Sequence, residues 1–408
     1  MNALIKTAFY VFLTFTSLFA QNNFMLGNEN LLSNETDLIE GKNLALVINK
    51  TSTLSNGVTL LDTLLALDFS VRKIFALEHG FDLKAEAGEK IKNTNFGAIP
   101  IISLYGKKKS PDKNDLKNID LILYDIQDVG ARFYTYISSL KLIMQSAVRN
   151  QVGIIVLDRP NPQKGKIEGE ILDENFKSFV GISKIPTVYG MTVGELAKLF
   201  ADEIEREDGR SVKLTVVKMS DYRRGKNYFQ PNGKLRWINP SPNLRTLDAA
   251  LLYPGLCFLE ATTISEGRGT EFPFEQFGAP FFDTKKIIAK LKATEFSESL
   301  DFTAVRFVPK RHGTYSPKFS EKKCSGVKIK IKDENFDAVL FGTKLLKILC
   351  EMYPNKISLN YNRLAKLYGN KNLERFIKNE ISFEEIKTFI RRDREIFKSK
   401  RKNFLLYP

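Results

Sequence analysis

Apolar, β-branched runs recur along the first two thirds of the chain, at 44–49, 72–77, 99–104, 120–124, 153–157 and 213–219. Between several of them lie segments with helical spacing, at 60–67, 133–148 and 192–205. Strand-helix alternation of this kind predicts an α/β fold, a Rossmann-like parallel sheet flanked by helices. The third helix opens on Thr192-Val-Gly-Glu195, a capping-box pattern, so Glu195 reads as a cap rather than a catalyst. Beyond residue 247 the alternation fails and gives way to Pro and Gly turns and a Lys-rich helical end at 383–400. With the boundary near Pro240-Ser-Pro-Asn243, the pattern predicts a Rossmann-like catalytic domain over 37–246 and a smaller C-terminal α/β domain over 247–408 that closes the cleft.

The first twenty residues stand apart from this rhythm. Lys6 precedes an uncharged apolar stretch from Ala8 to Phe19, then Ala20-Gln21, the pattern of a secretory signal peptide over 1–20. That stretch is too short to span a bilayer, and no other segment reaches spanning length without charges. The expected product is an exported, periplasmic or secreted protein of about 390 residues, enough for two domains. Cys257, Cys324 and Cys350 are too few and scattered for a disulfide scaffold, and two distant histidines without a Cys-x-x-Cys argue against zinc. No metal and no cofactor are expected. The net charge is +15, with the lysines spread along the chain rather than massed among aromatics, so nucleic acid is not an expected partner.

Candidate chemistry gathers where a parallel sheet opens its strand ends to a ligand. The run at 72–77 leads into Glu78 and His79, and a carboxyl there is partly desolvated, which suits a proton donor. After the run at 120–124 comes Asp125-Ile-Gln-Asp-Val-Gly-Ala-Arg-Phe-Tyr-Thr-Tyr136. It places Asp125, Gln127 and Asp128 at the mouth, and Arg132 one helical turn from Tyr136, with Tyr134 between them. The next strand ends in Asp158, Arg159 and Asn161, and the following loop supplies Glu168. Acids, an arginine fork and phenols at one mouth suit a sugar that carries a carboxylate. The competing structural reading makes Asp125 and Arg132 an internal ion pair and packs the tyrosines in the core. Farther on, Asn243 follows the lone tryptophan, and Glu266 and Arg268 lie among glycines that permit close backbone approach, or form a pair across the domain interface. The chain has no Gly-x-Gly-x-x-Gly after its first strand, no Walker loop and no Gly-x-Ser-x-Gly elbow, which removes the usual physical support for dehydrogenase, NTPase and α/β-hydrolase readings.

Several blocks together resemble one family. Glu78-His-Gly-Phe, Ser103-Leu-Tyr-Gly, the run from Asp125 to Ile137, Leu157-Asp-Arg-Pro-Asn-Pro, Ser178-Phe-Val-Gly, Gly190-Met-Thr-Val-Gly-Glu, Pro240-Ser-Pro-Asn and Ser265-Glu-Gly-Arg-Gly-Thr resemble the exo-β-N-acetylmuramidases of the NamZ type. The resemblance implies a glycosidase that removes N-acetylmuramic acid from the non-reducing ends of peptidoglycan fragments, with its site between a Rossmann-like domain and a smaller one. It also implies that Glu78 is the catalytic acid. The chain departs from the family at Tyr189, where a histidine is usual, and at Glu260-Ala-Thr-Thr. A phenol is not a cation near neutral pH, so a charge contact to the lactyl carboxylate falls to Arg132, Arg159 or Arg268.

Hydrolysis through an oxocarbenium-like state needs a proton donor and, on the other face, a base, a nucleophile or the substrate's own acetamido oxygen. The expectation is Glu78 as general acid, with His79 orienting it or the leaving sugar, and Asp125 or Asp128 supporting the acetamido group or activating water. The remaining candidates, Gln127, Arg132, Tyr134, Tyr136, Asp158, Arg159, Asn161, Glu168, Tyr189, Asn243, Glu266 and Arg268, would bind substrate. The alternatives are a non-catalytic periplasmic muropeptide- or sugar-binding protein, and a polycation that adheres to wall polymers.

Overall fold

In a computed structural model the described residues are 24–86, 88–229 and 233–408. The predicted signal segment therefore lies outside them. Seven strands form the larger sheet: β1 (Leu44–Ile48), β2 (Val71–Ala76), β3 (Thr94–Phe96), β4 (Ile99–Ser103), β5 (Leu121–Asp125), β6 (Gly153–Leu157) and β7 (Leu214–Val217). Their spatial order is β3-β4-β2-β1-β5-β6-β7, and all neighbours are parallel except the β3–β4 pair. Without the edge strand β3 this is the doubly wound order, and it reverses direction between β1 and β5. The predicted Rossmann-like sheet is present.

Alternation along the buried strands assigns each side chain to a layer. Ala45, Val47, Phe75, Ile122, Tyr124, Ile154 and Val156 face one core. Leu46, Ile48, Ile74, Leu123, Ile155 and Leu157 face the other. The helices that cover the sheet include α1 (Gly27–Asn34), α2 (Leu60–Ala66), α3 (Tyr136–Asn150) and α4 (Val193–Asp208). The capping box at Thr192 and Glu195 forms as predicted, and Glu195 also pairs with Arg224 at 2.6 Å. Helix α3 begins at Tyr136 rather than Phe133, so Arg132 precedes the helix instead of sharing a turn with Tyr136.

The second region carries α5 (Leu247–Leu256), a three-stranded antiparallel sheet ordered β8-β10-β9, and five further helices: α6 (Thr284–Lys292), α7 (Ala338–Met352), α8 (Tyr361–Tyr368), α9 (Asn372–Ile377) and α10 (Phe383–Arg401). The small sheet is built from β8 (Gln276–Ala279), β9 (Leu300–Phe307) and β10 (Cys324–Ile331). Helices α5 and α7 cross at Gly255 and Gly342, where a Cβ on either would strike the backbone of the other helix. Tyr253, Phe258, Phe277, Val327 and Leu349 belong to the same apolar cluster as Val47 and Phe75, so one core runs unbroken between the two sheets. No helix among the described residues is long and apolar enough to cross a membrane.

Candidate active site

Strand β2 delivers Leu77 to the core and Glu78 to the carboxyl edge of the sheet, where Glu78 is 9 % exposed. The chain then reverses through His79 (φ 71°) and Gly80 (φ 78°), both in the left-handed region. For His79 this conformation costs about 1–2 kcal/mol, so the turn persists only because its surroundings hold it. The hold is visible: Ala85 donates its amide to the His79 carbonyl at 3.2 Å, and His79 Nδ1 lies 2.8 Å from the Ala85 carbonyl. Burial lowers the His79 pKa, outweighing the opposing pull of Glu78 and of the Ala85 carbonyl. The ring is therefore neutral at pH 7, with Nδ1–H pointed at Ala85 and Nε2 left as the acceptor.

Glu78 sits between hydroxyls. Tyr105, at the end of β4, donates to Oε1 at 2.6 Å, and Thr135, one residue before α3, donates to Oε2. Tyr136 donates to the Pro240 carbonyl at 2.8 Å and lies 3.3 Å from the Glu78 carbonyl, while Tyr134 reaches the same Pro240 carbonyl at 2.9 Å. Burial, and for Tyr105 the nearby Glu78 charge, pushes these phenols up, so they stay protonated donors. Tyr105 and Thr135 were not among the candidates, although both lie within the family-like blocks.

The turn after His79 and the loop at 239–245 form one wall of a cleft of about 1010 Å³, and β9, β10 and the segment after β9 form the other. Asn243 donates to Glu86 Oε2 at 2.5 Å, which fixes a cleft carboxylate that sequence reasoning missed. Behind it lies a charge cluster: Arg268 binds Glu260 at 2.7 Å and Glu266 at 3.3 Å, and Lys318 binds Glu266 at 2.9 Å. Burial works against the charge of Arg268, but Glu260 and Glu266 outweigh it and keep the guanidinium protonated. Its plane lies over Phe274 at 5.0 Å, its charge reaches His79, and its buried Nη1 has no hydrogen-bond partner among the described residues.

Other candidates are occupied within the fold. Asp125 pairs with Arg159 rather than with Arg132, through bonds of 2.5 and 2.9 Å, and accepts a third from Asn28 at 3.1 Å. Arg132 is wholly buried and donates to the carbonyls of Glu170, Ile185, Leu367 and Tyr368. Asp158 caps α4 through Gly194 and Thr192 and receives the Tyr407 hydroxyl, and burial raises it to about 6. Glu168 accepts from the first amides of α7, at Ala338 and Val339, and burial together with Asp337 lifts it to about 8. Gln127 bridges the Asp128 and Pro160 carbonyls, and Asn161 holds the Met191 carbonyl. Tyr189 donates to Asp128 Oδ2, where Gly130 N also binds; Oδ1 stays buried without a partner, and burial raises Asp128 to about 6. Of the arginines expected to meet a carboxylate, Arg132 gives both terminal nitrogens to backbone carbonyls and Arg159 is paired with Asp125, while Arg132 Nε and Arg268 Nη1 are buried without a partner among the described residues.

Among the described residues no cluster of His, Cys, Asp and Glu could hold a metal ion. Comparisons with known proteins cover most of the chain. Residues 44–248 match the family described as exo-β-N-acetylmuramidase NamZ, N-terminal, and residues 251–407 match its C-terminal counterpart. The peptidoglycan β-N-acetylmuramidase NamZ of Bacillus subtilis (strain 168) is 36% identical over 390 residues, covering 93% of this chain and 91% of that protein. Two crystal structures of DUF1343 family proteins from Bacteroides fragilis NCTC 9343 share the fold. One has a TM-score of 0.83 at 28% identity, covering 95% of this chain and all of that one; the other has a TM-score of 0.73 at 32% identity, covering 94% and 99%. Matched by the N- and C-terminal family descriptions in turn, and by a full-length relative, this chain belongs to the exo-β-N-acetylmuramidase NamZ family of glycosidases.

Proposed function

We propose that this protein is an exo-acting glycosidase that releases N-acetylmuramic acid from the non-reducing ends of peptidoglycan fragments, with Glu78 as general acid. The observation that carries the reading is Glu78 itself, presented at a strand end between two hydroxyl donors, with the turn that follows it lining a cleft wide enough for sugars. A neutral His79 orients the leaving sugar through Nε2, and Arg268 offers its unpartnered Nη1 to the lactyl carboxylate. Asp125 is saturated by Arg159 and Asn28, so support across the ring comes from Glu86, Asp128 or the substrate's own acetamido oxygen. Two units, 37–246 and 247–408, close on the cleft; α5 begins at this boundary. Export rests on the apolar leader at 8–19.

The test compares a chromogenic β-N-acetylmuraminide with the matching glucosaminide. The mature protein should turn over only the first, and Glu78→Gln should lower kcat by about 10²–10⁴-fold with an unchanged melting curve. Near-normal turnover by that variant would remove Glu78 from the role, and tight binding without turnover by the wild-type protein would make it a binding protein.

A further inference from the structure

The cleft lined by the turn after His79 is strongly basic. Lys84, Arg245, Arg306, Lys310, Arg311 and Lys328 all line it, and none has a carboxylate within 4 Å among the described residues. Only Glu86 and Glu271 oppose them in the lining, and Asn243 already holds Glu86. These cations come from three separate parts of the chain: the turn after β2, the loop before α5, and the small sheet with its β9 extension. Their convergence concentrates positive potential in a concave, low-dielectric space, where it acts farther than on an open surface. At about 1010 Å³ the cleft also reaches the upper end of ordinary small-ligand pockets, more room than one terminal sugar needs. Lys328 Nζ packs over the Phe272 ring at 3.1 Å, so one of these cations is held in place at the cleft wall.

We infer that this cleft is an anion-reading subsite for the leaving side of the substrate. It takes a glycan that carries further carboxylates beyond the bond being cut, and so favours longer anionic chains over the bare disaccharide. The inference rests on the glycosidase reading above. Arg268, near His79, serves the sugar being released, whereas the six cleft cations serve what remains attached to the leaving oxygen. The carboxylates are lactyl groups of later muramic acid units or the acid groups of peptides attached to them.

The test uses the triple variant Arg306→Gln, Lys310→Gln, Arg311→Gln; all three side chains are exposed, so the fold should persist. Wild-type kcat/KM should be at least tenfold higher for a peptide-free tetrasaccharide of alternating muramic acid and glucosamine units than for the disaccharide, and salt should erode the gap. The triple variant should lose the gap while keeping disaccharide kcat/KM within twofold. A gap seen only with a peptide-bearing tetrasaccharide would place the contact on peptide carboxylates. Equal wild-type rates on all three substrates, or a gap that survives the triple variant, would overturn the inference. Should the wild-type protein turn over none of them, the glycosidase reading fails, and the subsite is judged by tetrasaccharide binding. Salt-sensitive affinity that the triple variant loses by tenfold would sustain it, and equal affinities would end it.

Discussion

Arg132 separates a residue that binds substrate from one that holds the fold. Its guanidinium is wholly buried and donates to four backbone carbonyls: Glu170 at 3.0 Å, Ile185 at 2.8 Å, Leu367 at 3.2 Å and Tyr368 at 2.6 Å. The last two belong to α8, so this side chain ties the segment that carries Tyr134, Thr135 and Tyr136 to the second region. Burial drags its pKa down to about 10, a measure of how much hydration it has given up for these bonds. Hydrogen bonds from a charged donor contribute about 1.5–3 kcal/mol each, but they do not add, and removing the charge also removes its desolvation cost. Arg132→Met should therefore destabilise by about 3–5 kcal/mol, chiefly through buried carbonyls that lose their guanidinium donor, although the Ile185 carbonyl keeps the Leu172 amide. With an unfolding slope of about 3 kcal/mol/M in urea, the midpoint should fall by about 1–1.7 M. Protein that remains folded should keep its KM for a muraminide, because no Arg132 donor is directed at the cleft. An unchanged midpoint with a tenfold rise in KM would refute this reasoning and return Arg132 to the substrate.

Two further outcomes follow from the same geometry. The folded Glu168 carboxyl keeps its proton to about 8 against an ordinary 4.5, so the stability it lends is full below pH 4.5 and is lost as pH rises through about 8. Wild-type protein should lose a few kcal/mol of its unfolding free energy from this group between pH 5 and pH 9, and Glu168→Gln should flatten that slope; equal slopes in urea titrations would count against it. Arg268→Lys keeps a charge but loses the planar fork that holds Glu260 and Glu266, so the melting temperature should fall and, in the protein that stays folded, KM for the muraminide should rise at least tenfold. An unchanged KM would send the lactyl carboxylate elsewhere.

What could be read from the chain alone follows the range of each interaction. Strands β1, β5 and β6 announce themselves because both faces are buried and the runs are almost wholly apolar, and β2 does so through its buried second half, Ile74 to Ala76. The edge strand β3 does not, since Thr94, Asn95 and Phe96 are all exposed and pair with only one neighbour. Glu78 was legible for the same local reason: it is the first acid past a buried strand. The residues at the next two mouths obeyed that rule too, yet Asp125 and Arg159 spend their charges on each other across adjacent strands, and Asp158 spends its own on a helix start. Nothing in spacing separates a strand-end acid that faces a ligand from one that faces a neighbouring loop, because the difference lies in which distant backbone arrives there. The cations show the opposite error. Between residue 84 and residue 328 the six lysines and arginines look like dilute surface charge, and only the packing of the small sheet against the strand-end loops brings them to one cleft. Local motifs thus specify the turn that aims the acid, whereas the charge that would select its substrate is assembled from segments that meet only after both sheets have folded onto their shared core.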